Sequence, residues 1–82
     1  MIAYPVILTP DSNGTWLITS PDFPELTSFG HSLEDALERA RGALLEAIEA
    51  RLDHGEPIPR PSTGEHMVRL PTKVAEPRVE RR

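Results

Sequence analysis

The chain has no cysteine, so neither a disulfide nor a thiolate metal site can stabilise it. It also lacks the run of ~20 apolar residues that crosses a bilayer, and its N-terminus lacks the basic segment of a secretory signal. We therefore expect a cytoplasmic protein without membrane contact. With 82 residues it forms one small core, and self-association is the most available further source of stability.

Positive charge is scarce over most of the chain. Nine Lys and Arg oppose thirteen Asp and Glu, which gives a net charge of -4 and argues against a general nucleic-acid binder. Residues 1–64 carry four basic and ten acidic side chains, a net charge of −6, whereas residues 65–82 carry five basic and three acidic, a net charge of +2. Because the change follows a proline-rich passage, we predict a folded domain over residues 1–70 and a flexible basic tail over 71–82.

Apolar alternation and turn residues predict four short strands. The first covers residues 2–9, and Pro5 within it indicates an edge or a bulge, because proline has no N–H to donate. Asn13 and Gly14 form a turn before a second strand, and two prolines separate that strand from a third over residues 25–29. We predict the fourth strand over 66–70.

A helix follows the third strand. Ser32 is a typical N-cap with Asp35 at the third helical position, and Gly55 is a typical helix end. Its apolar stripe is rich in alanine, which lets a helix lie close to a sheet. Arg39 stands four residues after Asp35, and Glu38 three residues before Arg41, spacings at which ion pairs form.

These elements predict an α+β fold in the order β-β-β-α-β, a small antiparallel sheet with one helix on one face. One helix leaves the opposite face of the sheet without cover, so we expect a homodimer or a higher homo-oligomer. Gly42 lies on the outer side of the helix, where alanine is more stable by ~0.8–1.0 kcal/mol. Either this cost is tolerated or another chain approaches closely there.

No catalytic pattern is present. The sequence has no Cys nucleophile, no metalloprotease HExxH motif and no phosphate-binding glycine loop. Its three histidines fall at the ends of elements, and His54 suits a helix C-terminus as a cation. We therefore expect no enzyme, no cofactor and no metal.

Two acidic surfaces are candidates for binding a partner. The outer face of the helix carries Glu38, Glu46 and Glu49, for which a solvated surface is the alternative interpretation. The second is a stiff corner over residues 21–25, in which two prolines fix Asp22, Phe23 and Glu25. A phenylalanine in such a corner more often packs into the core than binds a partner.

The order and spacing of several segments resemble the N-terminal domain of HicB-type antitoxins over about residues 2–70. The matching segments are YPVIL, DSNG, WLITSPDFP, GHSLEDAL and GEPIPRPS. The resemblance implies a partial RNase H-like fold and a protein partner, a small basic mRNA-cleaving toxin of the HicA type that the antitoxin binds and occludes. It makes the acidic residues of the helix and the corner candidate toxin contacts: Asp22, Phe23, Glu25, Glu38, Glu46 and Glu49.

The chain departs from that family at two places. Glu25 and Leu26 stand where members often have Gly-Cys. Many members continue into a C-terminal DNA-binding domain, so we expect residues 71–82 to be a flexible basic tail or a linker to such a domain, which is absent here. We assign no nucleic-acid contact to this chain. The alternative is an orphan RNase H-like module that self-associates and has no toxin. An active nuclease is disfavoured, because RNase H chemistry needs a metal-binding acid on the first strand and residues 2–9 contain none.

Overall fold

The computed structural model describes residues 2–71, a four-stranded antiparallel sheet with one helix packed on it. The predicted α+β class and the order β-β-β-α-β are confirmed. Most of the predicted basic tail, residues 72–82, lies outside the described residues. The elements are β1 (Ile2–Pro10), β2 (Trp16–Thr19), β3 (Ser28–Gly30), α1 (Leu33–Asp53) and β4 (His66–Leu70).

The strand order β3-β2-β1-β4 makes β1 an inner strand that changes partners along its length. Its first half, residues 2–6, pairs with β4, and its second half pairs with β2 from Ile7 onward. Pro5 accepts a hydrogen bond on its carbonyl from Ser20 Oγ at 2.9 Å, on the side away from β4. Because the N–H and C=O of a strand residue point the same way, the missing donor faces a stretch without ladder pairing. Pro5 therefore lies at a local edge, as predicted.

The third strand is shorter and later than predicted. We expected residues 25–29, whereas β3 covers only Ser28–Gly30. The reason is a turn in which the Leu26 N–H donates to the Phe23 carbonyl at 2.9 Å, with both side chains buried. The apolar residue at position 26 is thus a core anchor of the corner rather than a strand residue.

Helix α1 begins and ends where the sequence predicts. The Asp35 N–H donates to Ser32 Oγ at 3.1 Å, and Gly55 follows the C-cap His54 with a positive φ of 68°. Glycine adopts this left-handed conformation without a Cβ penalty. No helix within residues 2–71 combines the length and apolar content that crossing a bilayer requires.

The core lies between α1 and one face of the sheet. At its tightest point a Cβ on Gly30 would lie 2.4 Å from Ala36 Cα, so the helix start rests directly on the backbone of β3. This confirms that small residues bring the helix close to the sheet. The side chains of the core are Tyr4, Val6, Ile18, Phe23, Leu26, Ala36, Ala40, Leu44, Ala47, Ile48, Val68 and Leu70.

Candidate functional site

The outer face of α1 carries acids that form no ion pair with any cation of residues 2–71. Glu38, Glu46 and Glu49 are exposed, and none takes part in either of the two side-chain ion pairs that the structure holds within residues 2–71. The predicted pair between Glu38 and Arg41 does not form. Arg41 Nε instead donates to the Arg69 carbonyl at 3.3 Å, which directs this cation to the edge strand β4. The acidic face is therefore left free.

Asp35 belongs to the helix start rather than to this free surface. Its Oδ2 accepts from the His31 N–H and from Arg39 Nε, both at 2.9 Å. The hydrogen bond from His31 and then the Arg39 guanidinium hold the pKa of the Asp35 carboxyl below its usual range. The predicted pair with Arg39 is confirmed, and the capping acid reaches the N–H of the residue before the N-cap.

Gly42 lies in the middle of the acidic face with open space above it. A Cβ built on Gly42 would meet no atom within 4 Å. Nothing within the described chain therefore requires glycine there, and the close approach of a second molecule remains a hypothesis.

The corner is anchored by Phe23, whose ring is fully buried. It packs edge-on against Tyr4 with 5.0 Å between ring centroids, and the Arg51 guanidinium carbon lies over the ring, 5.0 Å from its centroid. The interpretation of Phe23 as a core residue is confirmed. Because the ring is enclosed, Phe23 does not offer a partner an apolar surface.

Asp22 ties the corner to the proline-rich passage. Its two carboxylate oxygens accept from the Ser62 N–H at 2.8 Å and from Ser62 Oγ at 2.6 Å. Nearby, the Tyr4 hydroxyl donates to the Pro59 carbonyl at 2.6 Å. Burial of Tyr4, and then the charge of Asp22, raise the pKa of this hydroxyl. Asp22 therefore holds the corner against the proline-rich passage.

Arg51 connects the end of α1 to the corner and to the proline-rich passage. Its Nε and a terminal nitrogen donate to the two carboxylate oxygens of Glu25, both at 2.9 Å, and its other terminal nitrogen donates to the Pro57 carbonyl at 3.1 Å. These hydrogen bonds lower the pKa of the Glu25 carboxyl and raise the pKa of Arg51. The charge of Glu25 is consequently compensated within the chain, whereas Glu46 has no such partner within residues 2–71.

The role of Arg51 was not predicted, although the sequence contains one signal for it. Arg51 follows Leu33 by 18 positions, which is five full helical turns, so it lies on the apolar stripe of α1. A charged residue in the middle of an apolar stripe indicates a cation with a fixed partner. Which partner it takes does not follow from the helix alone.

The corner and the acidic face meet at a groove of about 250 Å³. Its apolar part comes from Leu26, Ala43 and Ala47, and the carboxylates of Glu25 and Glu46 stand at its sides. The structure thus brings together two of the predicted contact residues from separate elements. An apolar floor beside an uncompensated carboxylate suits the stem and cationic head of a lysine or arginine.

This surface consists of polar side chains around a small apolar groove. Within residues 2–71, no group of three or more His, Asp or Glu side chains is placed to hold a metal ion. Its polar groups either bind one another, as in the corner, or face solvent, as on the helix.

Comparison with known proteins decides the family. Residues 3–76 match the model of the HicB_like antitoxin of bacterial toxin-antitoxin systems. The chain belongs to the HicB-like antitoxin family. The acidic outer face of α1 and the corner over residues 21–25 are therefore features of a HicB-like domain.

Several curated relatives support this membership. The chain is 36% identical over 75 residues to Antitoxin HicB of Escherichia coli strain K12, covering 88% of this chain and 54% of the relative. It is 40% identical over 73 residues to Antitoxin HicB 1 of Photorhabdus laumondii, covering 88% and 47% respectively. The chain spans about half the length of these HicB relatives. By contrast, a match of 32% over 62 residues covers 76% of this chain and 90% of the UPF0150 protein Ta0767 of Thermoplasma acidophilum.

Proposed function

We propose that this HicB-like chain is a non-enzymatic antitoxin that binds a HicA-like mRNA-cleaving toxin and occludes it. The observation that carries the proposal is the outer face of α1, where Glu38, Glu46 and Glu49 are exposed and form no ion pair within the described part of the chain. A protein that binds RNA presents cations to phosphates. The acidic face offers those cations an alternative partner.

Charge makes this encounter fast as well as selective. Opposed surface potentials raise association rates and disfavour partners of like charge, and both effects weaken with salt. The groove adds an apolar contact to the attraction between charges. A basic side chain fits with its desolvated aliphatic stem on Ala43 and Ala47 and its cationic head at Glu46. We assign the direct toxin contacts to the helix face.

The corner has a supporting role in this proposal. Glu25 forms one side of the groove while Arg51 holds its carboxylate in place, so its position is fixed before a partner arrives. Asp22 and Phe23 hold that side of the groove in place through their contacts with Ser62 and Tyr4. A rigid binding surface loses less conformational entropy on association.

The decisive experiment reverses two charges on the helix face. The toxin is first captured from the lysate of the source cells with the full chain as bait, then tested for RNA cleavage and its inhibition. We expect Glu46→Lys with Glu49→Lys to weaken binding about 10-fold or more at low salt, and to flatten the salt dependence, because charge steering is lost.

A matched control separates this face from net charge. Glu56→Lys with Glu65→Lys produces the same change in net charge at exposed residues away from the outer face of α1. Its affinity should stay close to that of the unaltered chain. Equal losses in the two double variants would remove the helix face from the interface. Capture of no ribonuclease would support the orphan self-associating module instead.

A further inference from the structure

We infer that residues 72–82, which lie outside the described residues, bind α1 of the same chain along the side of the helix that adjoins β4. Arg41 Nε donates to the Arg69 carbonyl at 3.3 Å, so the chain leaves β4 beside the middle of α1. Eleven residues span up to about 36 Å, and the 21 residues of α1 are about 31 Å long. The whole helix is therefore within reach of this segment.

The side of α1 next to β4 is acidic with an apolar centre. At about 100° per residue, three side chains that lie within about 80° of Arg41 define a β4-side stripe: Glu38, Leu45 and Glu49. The two acids are exposed, and Leu45 between them is partly buried. Glu46, by contrast, lies about 140° from Arg41 and borders the groove on the other side of the helix.

Charge identifies residues 72–82 as the occupant of the β4-side stripe. They carry four basic and two acidic side chains, a net charge of +2, and two valines that suit the exposed part of Leu45. The acids of the stripe form no ion pair within residues 2–71. Because the segment is attached beside the stripe, its effective concentration there is on the order of millimolar. A modest attraction is then enough to hold it.

This contact would regulate the toxin-binding surface, a consequence that rests on the proposed function. Glu38 and Glu49 belong to the outer face that we assign to the toxin, so the segment and a basic toxin compete for them. When a site is available for only part of the time, the apparent affinity of its ligand falls by that fraction. The groove beside Glu46 lies outside the stripe and stays accessible for a first contact.

The chain allows a direct test, because Lys73 is its only lysine. A carbodiimide joins a carboxylate to an amine that touches it, forming an amide with loss of one water. Applied to the full chain at low salt and without toxin, it should join Lys73 mainly to Glu38 and Glu49, as mass spectrometry of the peptides would show. Lys73→Arg keeps the charge and should abolish these products. Products spread evenly over all exposed acids would overturn the inference.

Variants within the segment separate docking from mere proximity. Arg78→Gln with Arg81→Gln should lower the yield of Lys73 products about 3-fold or more, because two exposed ion pairs are lost. A salt concentration of about 1 M should also lower it. Arg60→Gln with Arg69→Gln removes the same charge at exposed positions outside the segment, and should leave the yield unchanged. An undiminished yield in the first variant would overturn the inference.

Two controls make a negative result decisive. Glycinamide added with the carbodiimide labels accessible carboxylates, and labelling of Glu49 relative to Glu46 should rise in Arg78→Gln with Arg81→Gln. Labelled acids without any Lys73 product would overturn the inference. Cross-links between isotope-labelled and unlabelled copies would also overturn it, because they would place the segment on a second molecule.

The toxin then tests the competition. Arg78→Gln with Arg81→Gln should tighten toxin binding about 3-fold more than the matched control Arg60→Gln with Arg69→Gln, since the competing segment is weakened. Equal affinities in the two variants would overturn the competition. Capture of no toxin would overturn the proposed function instead, and the cross-link, which is measured without toxin, would still decide whether the segment binds α1.

Discussion

The two acidic surfaces predicted from the sequence differ in what their carboxylates do. In the corner, Asp22 and Glu25 each accept two hydrogen bonds from within the chain. On the outer face of α1, Glu46 and Glu49 accept none from the described residues. The same residue chemistry therefore serves architecture in one region and remains available for recognition in the other.

The difference shows that an acidic residue near a predicted interface need not contact the partner. An exposed ion pair contributes little to stability, but it does neutralise the charge that would attract a partner. Glu25 and Glu46 line one groove, and among the residues that the structure describes Glu25 has a cationic partner whereas Glu46 has none. The following experiments separate the two regions.

The largest expected effect comes from removing the anchor of the corner. Phe23→Ala deletes a fully buried ring between Tyr4 and Arg51, and should reduce the free energy of unfolding by about 3–5 kcal/mol. Urea denaturation measures this loss. Leu33→Ala, at an exposed helix position, should change stability far less. Equal changes in the two variants would mean that the ring is not part of the core.

Removing Arg51 should have an intermediate effect. Arg51→Ala abolishes the paired hydrogen bonds to Glu25, the contact with the Pro57 carbonyl and the stacking on Phe23. We expect a loss of about 1–3 kcal/mol, reduced from the full sum because the site is partly solvated. Thermal unfolding of Arg51→Ala and of Arg39→Ala provides the comparison. Arg39 forms an exposed pair with Asp35, and its removal should cost only about 0.3–0.5 kcal/mol.

Gly42→Ala probes the free face without adding charge. Because the position is open, alanine should stabilise the helix by about 0.8–1.0 kcal/mol, and raise the melting temperature by several degrees. Toxin affinity decides between the two interpretations of this glycine. Unchanged affinity means that the cost is merely tolerated, whereas a clear loss places another chain in close approach there.

The smallest expected effect is the loss of folding stability at acid pH that protonation of Glu25 in the corner causes. The folded-state pKa of Glu25 is lowered, first by its hydrogen bond to Arg51, so its stabilisation is present above the unfolded pKa of ~4.3 and lost as the pH falls through the folded value. Because Glu25 is half exposed, we expect less than about 1 kcal/mol. Unfolding measured from about pH 5 to pH 3 should show a weaker decline for Arg51→Ala. A parallel decline would assign the acid sensitivity to other groups.

Local signals predicted the helix and the order of the elements along the chain well, because each depends on residues that are near in sequence. The cap at Ser32 and the stop at Gly55 are decided within one turn of the chain. The predicted start of the third strand at residue 25 was wrong, since burial of Leu26 follows from a turn and not from strand alternation. Periodicity alone does not distinguish these two reasons for an apolar side chain.

The contacts that organise the corner were beyond local reasoning. The bond between Tyr4 and Pro59 joins residues 55 apart, and the staple between Asp22 and Ser62 joins residues 40 apart. Which distant segment passes a given side chain depends on the path of the whole chain. A sequence pattern predicts that Arg51 needs a partner, but the fold decides that the partner is Glu25.

The pairing of Ile2 with Leu70 has a consequence for how the domain is made. During synthesis, β1 lacks a neighbour along half its length until β4 has been made. Closing so long a loop is slow relative to the local assembly of β2, β3 and α1. Newly made chains thus expose an unpaired edge at residues 2–6, and during that interval proteases and strand-pairing contacts have access to it.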